Sequence, residues 1–368
     1  MKLTCETKAL ADSLSLVASV VPTRSPRPIL SNLKLVAGDG TLEILATDLE
    51  VAIRRVLTDV TVEEPGAVLL PAAQASNITR EAPAQSISLT TEDQTCTIAY
   101  TGATYDLPCD NPEDFPDIPT FNEKNAVEVE AAELKKMIGR TKFAAASEQA
   151  RFALNGILFA LDGDSLRLVA TDGRRLALAE GKATNKAGIS ADPIMPTKAM
   201  DLLDRLMEDP EEQVQVELAE NQVLAQSRAG TVCTRLVEGH FPNYEEVIPK
   251  DSDKTLKIAG NNLLSAIRRA ALITTDESRS IRFALQKDAL TVNTQTLEGR
   301  RASVEADSVS YEGEPLKIAF NPDFFTEMLR VIGNEEVEVR FLDSTSAALA
   351  RVGSDYQYVV MPVQLQDI

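Results

Sequence analysis

The chain of 368 residues has no tryptophan, one histidine and only 5% aromatic residues. A single imidazole excludes a histidine-rich metal site, and any Ser-His-Asp triad would depend on His240 alone. His240 lies in the loop-like stretch GHFPNY, no GxSxG occurs, and it is read as an ordinary loop residue. So few rings are sparse for a large small-molecule pocket. The four cysteines, Cys5, Cys96, Cys109 and Cys233, are scattered without a CxxC pair. Buried thiols of a cytoplasmic protein are expected from them, not a disulfide frame or a zinc site. No apolar run reaches the roughly 18 residues of a membrane span, and MKLTCETKAL lacks a basic segment followed by an apolar one. Neither a span nor a signal peptide is expected.

What is present is apolar mass, at 44%, with 25% charged residues, enough for the cores of two or three domains. The formal charge of −19 argues at face value against nucleic acid, but binding depends on where charges lie.

Internal repetition organises the sequence. Three hairpins recur, LKLVAGDGTLEILATD, ILFALDGDSLRLVATD and RFALQKDALTVNTQT, each an alternating run, a short turn and a second alternating run. Leu42, Leu166 and Leu290 are equivalent, 124 residues apart each time. Three helices begin near a proline, at Pro71, Pro196 and Pro322, each expected in the first turn, where a missing N–H costs nothing. Three earlier segments, 5–21, 130–146 and 258–272, carry helical apolar spacing. A period near 124 exceeds the roughly 20–50 residues of a solenoid unit and suits a complete small domain. The expectation is an α+β fold of three repeated domains, each with two helices on antiparallel sheets. Proline-rich, charged stretches at DNPEDFPDIPTFNEKN and GHFPNYEEVIPKDSDK read as linkers, giving domains at 1–120, 121–248 and 249–368.

Sorting charge by element changes its meaning. The six helical segments hold Lys8, Arg80, Lys135, Lys136, Arg140, Lys142, Lys198, Arg205, Arg268, Arg269 and Arg330. Those eleven stand against ten acids, which leaves the segments at +1 and everything else at −20. If the six line one surface, it is far less acidic than the remainder, with basic clusters at Lys135–Lys142 and Arg268–Arg269. Arg24 and Arg27 would add to it.

The catalytic patterns are weak. GDG at 38–40 and DGD at 162–164 continue into neither a phosphate loop nor a calcium loop, and both occupy hairpin turns. Thr47–Asp48 and Thr171–Asp172 recur, yet the third repeat has Gln295–Thr296. Strand-end turns using Asp for local hydrogen bonds are expected; a carboxylate-dependent hydrolase working through Asp48 or Asp172 is the alternative. No nucleophile, base and oxyanion site assemble, so a binding protein without metal or cofactor is expected.

Three equal repeats, ATDGRRLA at 170–177, FPNYEEVIP at 241–249, YVVMPVQL at 358–365 and PILSNL at 28–33 together resemble the bacterial sliding clamps, the beta subunits of DNA polymerase III. The resemblance covers the whole chain. It implies a head-to-tail homodimer, a six-domain ring with twelve helices around the hole. Helix axes about 8–10 Å apart give a circumference of roughly 100–120 Å and an axis circle some 32–38 Å across. Subtracting a helix diameter of about 10 Å leaves roughly 22–28 Å, room for a duplex. Near-neutral inner helices would hold DNA through weak, sequence-independent phosphate contacts while closure prevents escape.

The resemblance also implies site residues. DNA contacts would come from Arg24, Arg80, Glu148, Gln149, Arg151, Lys198 and Arg205, and the ring joint from Tyr105, Leu272 and Ile273. A pocket for short peptides of the replicative polymerase alpha subunit, clamp loader, other polymerases and repair proteins would use Leu154, Thr171, Gly173, Arg174, Arg175, Leu176, Pro242, Val247, Asn321, Val359, Met361, Pro362 and Val363. Arg174 stands where the family usually has His, and Glu246 and Gln364 where basic residues are common, which would shift peptide preference. The terminal VMP element has no place in the hydrolase reading, and the same sequence would equally serve a paralogous clamp for repair or drug resistance.

Overall fold

Alternating apolar and polar residues over most of the chain produce strands, and every named strand pairs antiparallel. A computed structural model describes residues 1–123, 126–147, 152–275, 279–296 and 298–363. The chain divides into two compact units. One is Met1–Lys135, Ala183–Ile189 and Lys198–Leu236; the other is Lys136–Lys182, Ser190–Thr197 and Val237–Ile368. The repeat and the compact unit therefore differ, because the middle repeat is shared out between the two. Positions 120 and 248, where linkers were expected, lie inside a unit.

In the first unit, five strands run in the order Val60–Glu64, Lys2–Glu6, Ser86–Glu92, Thr95–Tyr100, Ala103–Pro108. Eight more run Ala126–Glu130, Gln213–Leu218, Gln222–Ser227, Gly230–Arg235, Val51–Leu57, Thr41–Thr47, Asn32–Gly38, Gly66–Pro71. The second unit has a nine-stranded sheet, Ile194–Pro196, Gly156–Asp162, Ser165–Thr171, Arg175–Lys182, Tyr356–Val360, Ala348–Val352, Glu336–Phe341, Lys254–Ala259, Ser310–Glu312. Its four-stranded sheet runs Arg301–Glu305, Ala289–Gln295, Ile281–Gln286, Leu316–Phe320. In each large sheet a strand of one repeat bonds a strand of the next, at Val51–Leu57 with Gly230–Arg235 and at Arg175–Lys182 with Tyr356–Val360.

The three hairpins form as expected. Two-residue turns close them, with Asp39 and Gly40 at φ 48° and 74°, Gly163 at 57° and Asp288 at 53°. Leu42, Leu166 and Leu290 are all exposed by 1% or less.

Among the described residues six α-helices form, α1 (Thr7–Ala18), α2 (Ala72–Glu81), α3 (Ala131–Thr141), α4 (Thr197–Leu206), α5 (Gly260–Ala271) and α6 (Pro322–Ile332). On α1, Leu10, Leu14 and Val17 are buried at helical spacing, while Lys8 and Asp12 pair at 2.6 Å on the open side. The proline expectation holds only for α6. There Asn321 caps the helix, accepting from the Asp323 N–H at 2.9 Å, and Pro322 takes the first position. Pro71 and Pro196 instead end the preceding strands, opposite Asn32 and Gly156. Each follows a buried apolar residue, Leu70 or Met195, that stays in its ladder and offers no cap, so the helix starts one residue later.

Helices α1 and α4 bury Leu10, Leu14, Leu202 and Leu206 in one apolar core of the first unit. In the second, Phe283, Phe320 and Phe325 pack with ring centroids 5.0–5.5 Å apart. The four cysteines are free; burial pushes the Cys5 and Cys233 thiols up to about 11 and that of Cys96 to about 12. No helix among the described residues is long and apolar enough to cross a membrane.

Gly230 opens the strand that joins the first two repeats, at φ 150°, where a Cβ would collide with the Arg54 carbonyl oxygen. Gly230→Ala is expected to destabilise the first unit by more than about 1 kcal/mol. A melting temperature within error of the unmodified protein would refute that.

Candidate functional site

The recurring Thr-Asp pairs build identical turns. The Asp48 carboxylate accepts from the N–H of Glu50 at 3.0 Å and of Val51 at 2.7 Å; that of Asp172 accepts from Arg174 at 2.8 Å and Arg175 at 3.1 Å. The Thr47 and Thr171 hydroxyls donate to the carbonyls of Val51 and Arg175 and accept from the N–H of Leu49 and Gly173. In the third repeat Thr296 takes the Asp position, its hydroxyl accepting from the Arg300 N–H at 3.2 Å. The second oxygen of each carboxylate meets a cation, Lys198 at 2.6 Å from Asp48 and Arg175 at 3.0 Å from Asp172. Both acids thus act as turn acceptors, the role expected for Asp in strand-end turns.

The Asp172 turn leads into an apolar cluster of the second unit. Leu176 and Val359 face each other across the Arg175–Lys182 and Tyr356–Val360 strands, both 3% exposed. They cluster with Leu158, Val169, Leu178, Ile194 and Leu349, and Phe241, Tyr244 and Ile248 pack at the margin. Two large apolar side chains stand out, Val247 at 55% and Met361 at 47% exposure. Met361 is held by its N–H to the Arg174 carbonyl at 2.9 Å, and Val363 by its N–H to the Ala319 carbonyl at 2.9 Å. Beside this lies a recess of about 420 Å³ lined by Ala145, Ala146, Ser147, Asp172, Gly173, Arg174, Arg175 and Phe324. Gly173 turns the chain here at φ 86°.

The remaining pocket candidates take varied places. Arg174 and Pro242 are exposed; Leu154, Pro362 and Val363 are half-buried; the buried Thr171 and the Asn321 side chain are engaged in the turn and the α6 cap. Arg175, in the wall of the recess, acts as a brace. Its guanidinium donates to Asp172, Glu327 and the Phe143 carbonyl, 2.6 Å for the last, and lies 4.8 Å from the Phe324 ring centroid. Burial works against its charge, but Tyr358, Glu327 and Asp172 outweigh that and raise its pKa. Glu246 accepts from the Asn243 side chain at 2.7 Å, and Gln364 lies outside the described residues.

Among the expected DNA contacts, Arg24, Arg80 and Arg205 are exposed. Arg80 bonds Asn77 at 2.7 Å; Lys198 is tied to Asp48 and to the Val20 carbonyl at 3.1 Å. Glu148, Gln149 and Arg151 lie outside the described residues. The basic cluster expected at Lys135–Lys142 is not a free one. Lys135 caps the end of α4, donating to the Asp204 and Met207 carbonyls at 2.8 Å, and Lys136 pairs with Asp355 at 2.6 Å. Arg140, 3% exposed, pairs with Glu335 at 2.6 Å and Asp355 at 3.2 Å. Acids distant in sequence absorb these cations. Arg268 and Arg269 are exposed.

The joint candidates sit on a sheet edge and just past a helix end. Tyr105, 39% exposed, is on the edge strand Ala103–Pro108; Leu272, 82% exposed, follows α5, with Ile273 half-buried beside it.

Family models of the DNA polymerase III beta subunit match the chain three times, as N-terminal domain over 1–119, central domain over 128–243 and C-terminal domain over 245–364. The chain belongs to this family. The beta sliding clamp of Pseudomonas putida is 33% identical, over 99% of this chain and 100% of that one. That of Escherichia coli is 30% identical with the same coverage. Among solved structures, a sliding clamp of Pseudomonas aeruginosa bound to griselimycin superposes with a TM-score of 0.91 at 32% identity, covering 99% and 100%. The clamp of Bacillus subtilis gives 0.90 at 26%, covering 99% of each. The fold is thus that of the family, three clamp domains with helices on antiparallel sheets.

Phe241, Tyr244 and Ile248 pack against the apolar cluster and Phe324 lines the recess, none of them among the residues to which the sequence pointed. The FPNYEEVIP motif contains the first three, and only the packing makes their role visible. Arg175→Ala would strand Asp172 and Glu327 and is expected to cost about 1.5–3 kcal/mol, with Arg175→Lys recovering part, since lysine lacks the planar fork. Denaturant unfolding tests this; equal stability of all three proteins would deny the bracing role.

Proposed function

We propose that the chain acts as a non-catalytic DNA sliding clamp, a head-to-tail homodimeric ring that encircles duplex DNA and tethers a replicative polymerase. The observation that carries this is the full-length, threefold match to the family, on a chain whose repeats join edge to edge. In this reading the repeats 1–120, 121–248 and 249–368 are the domains, and the site of action is the cytoplasm. Tyr105, Leu272 and Ile273 are exposed or half-exposed apolar groups suited to burial between copies. Arg24, Arg80 and Arg205 would touch phosphates weakly, with Lys198 contributing only if it leaves Asp48, so the ring slides.

The expected result is a dimer by light scattering that remains on nicked circular DNA and is lost when the circle is linearised. A monomer without topology-dependent retention would overturn the reading.

The surface around the exposed Val247 and Met361 would receive a short peptide with Leu and an aromatic or aliphatic residue after Gln, presented by the polymerase alpha subunit, clamp loader or repair proteins. Burial of two such side chains, less association costs, leaves roughly micromolar affinity, which suits partners that exchange. The exposed Arg174 and Glu246 at its rim would set peptide preference. Met361→Ala with removal of Val363–Ile368 is expected to weaken a polymerase-derived peptide at least ~10-fold by fluorescence anisotropy. Dimerisation should persist. Undiminished affinity would mean that the VMP segment only packs.

A further inference from the structure

One sheet face recurs in all three repeats, and its chemistry changes in the third. Counted from Leu42, Leu166 and Leu290, the hairpin registers make Lys34, Leu158 and Arg282 equivalent, and likewise Leu45, Val169 and Asn293. The adjoining ladders match Ala52 with Leu176 and Arg301, and Arg54 with Leu178 and Ser303. In the second repeat Leu158, Val169, Leu176 and Leu178 belong to one buried cluster, and Phe241, Tyr244 and Ile248 of the segment that follows pack against it. In the first, Phe115 and Ile118 of the segment that follows pack with Leu45 and Leu69. Both covering segments carry acids, Asp114 and Asp117 in one and Glu245 and Glu246 in the other. Glu245 pairs with Arg167 of the covered sheet at 2.9 Å.

The third repeat sets Arg282, Asn293, Arg301 and Ser303 where the second has three leucines and a valine. Lys317, opposite Ala284, joins them. Buried Phe283 follows Arg282 and buried Ile318 follows Lys317, so these cations stand on the face turned away from the core. Arg282, Arg301 and Lys317 are exposed, and with Asn293, Gln295 and Ser303 they line a recess of about 490 Å³. Among the described residues no acid lines this recess and none of the three cations has an ion-pair partner. Exposure alone asks only for polar residues, and a chain of −19 is rich in acids, yet this face gathers one sign. We propose that it binds an extended acidic segment of another protein, in the place that the following segments take on the first two repeats.

Spacing sets the pattern of that segment. The strands bearing Lys317 and Arg301 are three strand spacings apart, roughly 14 Å, and those bearing Arg282 and Arg301 two, roughly 10 Å. An extended chain advances about 3.3 Å per residue with alternate side chains on one face, so acids at alternate positions over about five residues reach all three cations. Ala284 and Ala302 are the apolar residues of the lining, and no aromatic ring stands in it. A large apolar anchor has no seat there, and bases have no ring on which to stack. Recognition rests on charge-assisted hydrogen bonds from guanidinium, ammonium, hydroxyl and amide groups, and it weakens with salt.

The face is complete within one copy, so its test does not depend on the proposed ring. The probe is a labelled peptide with glutamate at alternate positions, followed by fluorescence anisotropy on the full chain. It is expected to bind saturably at low salt, and its glutamine version is not. Arg282→Ser with Lys317→Ser should weaken binding about tenfold or more, and the charge-keeping pair Arg282→Lys with Lys317→Arg by no more than about threefold. Arg301 stays unmodified, because its strand is a sheet edge. Absence of saturable binding, unchanged affinity in the serine pair, or a charge-keeping pair as damaging as the serine pair overturns the proposal. Oligothymidylate of equal charge that binds more tightly than the peptide, and loses affinity in the serine pair, would assign the face to a phosphate backbone and overturn it as well.

Discussion

Backbone hydrogen bonds between Val51–Leu57 and Gly230–Arg235, and between Arg175–Lys182 and Tyr356–Val360, carry the sheets from one repeat into the next. Much else follows from these ladders. They explain why compact units each take in more than one repeat. They require Gly230 where its backbone meets Arg54. The second ladder supplies Leu176 and Val359 to the apolar cluster, so the candidate partner site is a by-product of joining repeats.

A turn stands at the end of each ladder, and its charge reinforces the joint. Asp48 takes Lys198 from α4, while Arg175, anchored by Asp172, takes Glu327 from α6. The polarity is reversed between the two, yet the location is the same. Exposed ion pairs of this kind contribute little alone. Arg175 differs because burial, two carboxylates, a carbonyl and two rings converge on it.

The helical cations show how composition and surface diverge. Counting them by segment gives a near-neutral set within a chain of −19. Several are nevertheless consumed internally, Lys135 by carbonyls and Lys136 and Arg140 by Asp355 and Glu335. The charge that the proposed clamp would offer to a phosphate backbone is therefore carried by fewer groups than the count suggests, with Arg24, Arg80, Arg205, Arg268 and Arg269 exposed. In the proposed ring, fewer phosphate contacts would mean looser holding with a shallower salt dependence than a tight DNA binder shows, which suits sliding.

Local rules made much of this legible in the sequence. Two-residue turns rich in Gly and Asp, alternating runs and helical spacing depend on neighbours a few residues away, so hairpins, six helices and the Asp turns follow from the chain directly. The repeat of Leu42, Leu166 and Leu290 exposed the threefold design for the same reason. The start of α2 and α4 one residue after proline was less accessible, because a long-range ladder to Asn32 and Gly156 holds Pro71 and Pro196 in strands. The fates of Arg140, Lys135 and Arg175 were hidden for a stronger reason. Their partners lie 195, 69 and 152 residues away, and which carboxylate or carbonyl reaches a given cation is decided only when sheets bring distant segments together.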